Sequence, residues 1–241
     1  MITIAPTFEG MPGIPLPYLP RYDWMVTSVM FICLIVVLFI FSRSKKYLFQ
    51  SIRGFIQNRK RNSMFDEVTT ADARHNFILI IHTIVMLGFS AYYYYSYISP
   101  SIFNECSHLL LLGGFILLFG LFILFKWMMY SFINWVFFQK VRNELWIKAF
   151  FHLFIWIGIL LLPTLLVTTY FDISPQISLY LIASILFLAK ILLFWKCFCN
   201  FFEKIYGSFH LILYFCALEI QPDLILWKGM EFISNNLILN L

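Results

Sequence analysis

The stretch from Ser208 to Trp227 reads SFHLILYFCALEIQPDLILW. Its length matches the run of about 20 apolar residues that carries a helix across a bilayer. Yet Glu219 and Pro222 stand well inside it, with Asp223 next to the proline. A charged side chain inside a span costs roughly 2.5–3.5 kcal/mol on insertion scales. A carboxylate here therefore needs a partner, a water-filled cavity or a proton. At helical spacing Ser208, Ile212, Phe215, Cys216, Glu219, Pro222 and Asp223 share one face. That face is too polar for lipid and is expected to meet protein. Pro222 has no N–H to give the carbonyl of Leu218. Glu219, Pro222 and Asp223 thus form the candidate intramembrane site. The plain reading is a buried hydrogen bond that holds the last span to its neighbours. The sharper one is a proton or ion relay.

Working outward, the 241 residues are 61% hydrophobic and 12% charged, with a mean hydropathy of +0.84. A soluble domain is about a quarter charged, so lipid must be the solvent for most of this chain. A net charge of +5 could suit nucleic acid. The basic residues, however, flank apolar runs, where they orient a chain in the membrane, and no nucleic-acid partner is expected. Cys33 and Cys216 lie in apolar runs and Cys106 stands alone in a loop. Cys197 and Cys199 lack the second pair that a metal site would need. Reduced thiols and no metal site are expected. Met1 to Gly10 lacks the basic start and apolar core of a signal peptide.

The pattern predicts an all-α fold, a polytopic transmembrane helix bundle of about six spans. Residues 1–22, with prolines at 6, 12, 15, 17 and 20, form an extended extracytoplasmic tail. The transmembrane domain is 23–230 and the C-terminal tail 231–241. The spans fall at about 23–42, 76–96, 108–126, 148–170, 176–195 and 208–227. Thr69 and Asp72 resemble a capping box that starts the second helix. The third helix is expected to run on past Lys126 to Gln139, longer than one crossing needs. Pro163 bends the fourth. Tyr92, Tyr93, Tyr94, Tyr95 and Tyr97 read as an aromatic belt at the headgroups.

After the first span, Leu48, Ile52, Phe55 and Ile56 fall on one helical face, and Arg53, Lys60 and Arg61 on the other. That is the pattern of an amphipathic helix lying in the cytoplasmic-side interface. Arg53, Arg59, Lys60 and Arg61 are expected to hold anionic lipid headgroups or a partner protein. Loops 43–75, 126–148 and 196–207 carry 8, 4 and 2 basic residues, and Lys190 reaches toward the headgroups on the same side. Only Arg21 and Lys228 remain for the other side, which places those loops in the cytoplasm and both termini outside. Lys190 is a possible counter-charge for Glu219. The spacing, however, sets Lys190 near the inner end and Glu219 in the outer half.

His82, His152 and His210 stand at matched depth on three spans. Neutral imidazoles so placed could ligate haem; the plain reading is three histidines at the polar boundary. No catalytic residue is assigned, because the chain has no nucleophile elbow, phosphate loop or dinucleotide fingerprint.

The run YFCALEIQP at 214–222 resembles the hallmark of an uncharacterised bacterial family of polytopic inner-membrane proteins, domain of unknown function 4271. The resemblance covers about Tyr22 to Lys228. It implies a multi-pass protein of the cytoplasmic (inner) membrane of a Gram-negative bacterium, and it singles out Glu219 and Pro222. Its genes' proximity to tetrapyrrole synthesis hints at haem. The leading expectation is a non-enzymatic subunit or assembly factor of a cell-envelope complex for secretion or transport. Membrane lipids and other envelope proteins would be its partners. The alternatives are a proton- or ion-coupled transporter using Glu219, and a membrane haem-binding protein.

Overall fold

The computed structural model describes residues 19–56, 70–98, 103, 107–137, 140–171, 173–201 and 215–239. A short 3-10 turn, Pro20–Tyr22, leads into helix α1, Trp24–Ile56. The Asp23 carboxylate accepts the backbone N–H of Met25 at 2.9 Å and caps the helix start. Helices α2 (Thr70–Ile98), α3 (His108–Phe137), α4 (Lys140–Tyr170) and α5 (Pro175–Phe201) follow. A π-helical turn, Cys216–Ile220, then opens α6, Gln221–Leu239. The described residues hold no strand.

Within the described residues five helices are long and apolar enough to cross a membrane: Trp24–Arg43, Ala73–Ile98, His108–Val136, Asn143–Tyr170 and Pro175–Cys199. They match the first five expected spans, and the protein is a membrane-spanning helical bundle. The helices outrun the expected spans because a hydropathy window ends where the lipid does, whereas backbone hydrogen bonding does not. Thus α3 continues past Lys126 and α4 begins at Lys140 rather than 148. Likewise α1 runs unbroken to Ile56, so the start of the expected interfacial helix continues the first span. Arg59, Lys60 and Arg61, the side chain of Arg53, and the tail 1–18 lie outside the described residues.

Two ends of the bundle can be told apart. Trp24, Ile98, His108, Tyr170 and Pro175 mark one, the tyrosine end. Arg43, Thr70, Phe137, Lys140 and Phe201 mark the other, the basic end.

Helices α2 and α4 form the centre: 50% and 44% of their span windows are buried, against 11–28% in α1, α3 and α5. Glycine makes their close packing possible. A Cβ on Gly158 of α4 would lie 2.9 Å from the Thr83 Cα of α2. On another side of α2, a Cβ on Gly88 would lie 2.9 Å from the Ile116 Cα of α3. Real carbons do not approach that closely, so the backbones meet only where no side chain intervenes. Thr83 satisfies its hydroxyl on the Leu79 carbonyl of its own helix, at 2.9 Å. The main core gathers Met30, Met86, Phe89, Tyr92, Leu161 and Leu165.

Toward the tyrosine end, the Tyr93 hydroxyl donates to the Thr168 carbonyl (3.3 Å), and the Tyr170 hydroxyl donates to Thr27 (3.1 Å). Tyr92 does not join the expected aromatic belt. It is fully buried and meets Phe103 edge-on, ring centroids 5.0 Å apart. Five near-consecutive residues cover all sides of a helix, so one of them must point inward.

Candidate functional site

Four ionisable side chains from four elements converge inside the bundle. Lys126 projects from α3, Lys190 from α5, Glu219 from the π-helical turn and Asp223 from α6. The Lys126 ammonium donates to Glu219 Oε2 at 2.7 Å and lies 3.0 Å from Asp223 Oδ1. The Lys190 ammonium bonds the same Glu219 Oε2 and lies 2.6 Å from Asp223 Oδ2. The Tyr130 hydroxyl donates to Glu219 Oε1. Glu219 is 1% exposed and Lys126 3%, whereas Lys190 and Asp223 are 35% and 37% exposed. Unpaired, each charge would cost roughly 2.5–3.5 kcal/mol in a span. Two ammoniums against two carboxylates offset that cost and sum to zero.

The local sequence explains the arrangement. Lys126 and Tyr130 are one helical turn apart on α3, and Asn134 is one turn further, so all three fall on one buried stripe. Asn134 closes the stripe by donating to the Asn143 side chain of α4 at 3.1 Å. Behind the stripe, Trp146 meets the Tyr130 ring edge-on at 5.5 Å, and both pack in a cluster with Phe150, Leu193, Cys197 and Leu218. On the opposing element, Glu219 and Asp223 are four residues apart and face the lysines together.

The turn that carries Glu219 is widened because Pro222 cannot donate to the Leu218 carbonyl. The Gln221 N–H instead reaches back to the Cys216 carbonyl, the π-helical bond. The wider turn also explains Cys216. Regular helical spacing sets it on the Glu219 face, yet it is exposed.

Sequence spacing misplaces two lysines. Lys126 is not a cation of the loop after α3; it is buried in the helix and bonded to Glu219. Lys190 does not reach for headgroups but turns inward to Glu219 and Asp223. The separation of Lys190 and Glu219 in depth is also corrected. The last helix is described from Phe215 and runs to Leu239, twelve residues past Trp227, so Glu219 stands near its start, level with both lysines. Tyr130 too is absent from the sequence-based site. The one hint to both Lys126 and Tyr130 is the i, i+4, i+8 polar stripe in an otherwise apolar helix. Part of the expected sixth crossing, 208–214, lies outside the described residues, as does 202–207 of the linker before it.

The cluster forms the floor of a cavity of about 600 Å³ bounded by α2, α3, α4, α5 and α6. Phe119, Phe154, Ile182 and Leu186 are among its apolar walls, and Tyr94, Tyr97 and Trp227 line it toward the tyrosine end. Lys190 stands fifteen residues after Pro175, which at the helical rise is about 22 Å from that end.

Neither His82 nor His152 lines this cavity. His82 is buried on α2, and neither of its ring nitrogens has a hydrogen-bond partner among the described residues. His152 donates from Nδ1 to the Lys148 carbonyl of its own helix at 2.6 Å. His210 lies outside the described residues. Among the described residues no three His, Cys, Asp or Glu side chains group as metal ligands.

Fold and site together define a polytopic membrane protein with a charge-balanced ionic cluster at the base of an intramembrane cavity. Residues 26–230 match the sequence profile of DUF4271, a domain of unknown function, and the chain belongs to that family. No curated protein and no solved structure matches it.

Proposed function

We propose that this protein is an intramembrane carrier, binding a small ligand in the cavity and coupling its movement to the uptake of a proton by Glu219. One observation supports this reading above all. A carboxylate that is 1% exposed is shared by two ammoniums and a tyrosine at the floor of a cavity within the range of ligand sites, about 300–1,000 Å³. Ionisable groups at such depth mark substrate and proton paths in membrane proteins. A ligand that accepts from Lys190 draws on the same ammonium that compensates Glu219 and so favours its protonation. The test uses liposomes loaded with a pH-sensitive dye and an imposed membrane potential. The wild type carries protons; Glu219→Gln, reconstituted in equal amount, does not. A glutamine variant that carries protons as the wild type does, or one that only lowers abundance, would overturn the proposal.

The subunit or assembly-factor reading has support of its own at the basic end. The α3 span, His108–Val136, is about 43 Å long against a hydrocarbon core of about 30 Å. Its final turns expose Trp127, Met128, Phe132 and Trp135 around a depression of about 360 Å³. A partner seated there would bury aromatic surface beyond the lipid. Gentle solubilisation and affinity purification then recovers a stoichiometric second protein, and Trp135→Glu releases it. A clean monomer from both preparations counts against this reading.

A further inference from the structure

The cavity floor still has hydrogen-bonding capacity, and that capacity has a definite form. The Lys126 ammonium is used up by Glu219, Asp223 and the face of Phe122, whose centroid lies 5.3 Å away. Glu219 has both lysines on one oxygen and Tyr130 on the other, and at 1% exposure it offers a ligand no access to its remaining lone pair. These two side chains are closed off. Lys190 and Asp223 are the half-open pair, and both line the cavity. Lys190 has three N–H groups and spends two on carboxylates, leaving one donor. Each Asp223 oxygen receives one ammonium and keeps a further lone pair. The floor therefore offers one donor and one acceptor side by side, from groups whose charges already cancel.

We propose that the cavity takes an amphiphile whose polar end is net neutral and bears a hydroxyl that accepts from Lys190 and donates to Asp223. This rests on the ligand-binding reading above. A polar end with net charge finds no counter-charge here, because two ammoniums and two carboxylates already balance. Nor would a charged headgroup readily leave its own layer for a floor about 22 Å from the tyrosine end. A long-chain alcohol, a monoacylglycerol or a quinol dissolves in hydrocarbon and can bring its polar end that far. Phe119, Phe154, Ile182 and Leu186 then cover its apolar body.

The test measures saturable binding of three radiolabelled probes with the same tail to the full chain in nanodiscs: monoolein, oleyl phosphate and oleylamine. Monoolein is expected to bind once per chain, and each charged probe more weakly by a factor of about ten or more. Charge balance makes a second, independent demand. Asp223→Asn leaves the floor positive and shifts preference to oleyl phosphate. Lys190→Gln leaves it negative and shifts preference to oleylamine. If the three probes bind alike to the wild type, or a charged one binds best, the proposal fails while the cavity remains a ligand site. If none saturates, the carrier reading fails with it. The wild-type comparison stands whether or not either variant folds.

Discussion

Glu219 decides how the interior of this bundle is charged, and its neighbours differ in what their loss should do. Removing one member of a buried ion pair strands the other and costs about 3–5 kcal/mol. Lys126→Met leaves Glu219 and Asp223 facing Lys190 alone, so we expect a loss of about that size, read as a lowered midpoint of thermal unfolding in detergent. Tyr130→Phe removes one hydroxyl donor from Glu219 and should cost about 1.5–3 kcal/mol, the range for a hydrogen bond to a charged group. An equal loss for the two variants would contradict the pairing. The sequence exposed three of the four charges, Lys190 only as a possible counter-charge set at the wrong depth. Glu219 and Asp223 stood out because a carboxylate in an apolar run needs an explanation. Lys126 did not, because a lysine at the end of an apolar run is ordinary in a loop. What hid it was partner choice, which arises from packing between α3 and the π-helical turn, 93 residues apart in the chain.

At the scale of elements, two glycines fix how closely α2 can be approached. Gly158→Ala sets a Cβ against the backbone of Thr83, where the nearest main-chain atom is 2.9 Å away. Overpacking of that kind costs about 1–3 kcal/mol. Gly114→Ala, whose Cβ would meet nothing within 4 Å, should leave the unfolding midpoint unchanged. A harmless Gly158→Ala would refute the close α2–α4 contact. The first five helices were readable from apolar runs alone, because hydrocarbon thickness dictates their length. The last was not. Pro222 reads as an interruption in the middle of a crossing, but the π-helical turn before it absorbs the missing donor and the helix runs on to Leu239.

For the whole molecule, the basic excess at one end survives the transfer of Lys126 and Lys190 from that end to the interior. It still predicts that end in the cytoplasm. In a cysteine-free background, a cysteine replacing Tyr97 should react with an impermeant maleimide added to intact cells, and one replacing Arg43 should not. The reverse pattern would invert the orientation.

The cavity lies between α6 and much of the bundle, and α6 is held at its foot by Glu219 and Asp223 and further up by Trp227 against Tyr94. The same two carboxylates thus serve as a latch. Whatever binds Lys190 and Asp223 touches the groups that fasten the final helix, so occupancy of the cavity is tied to how firmly that helix is held.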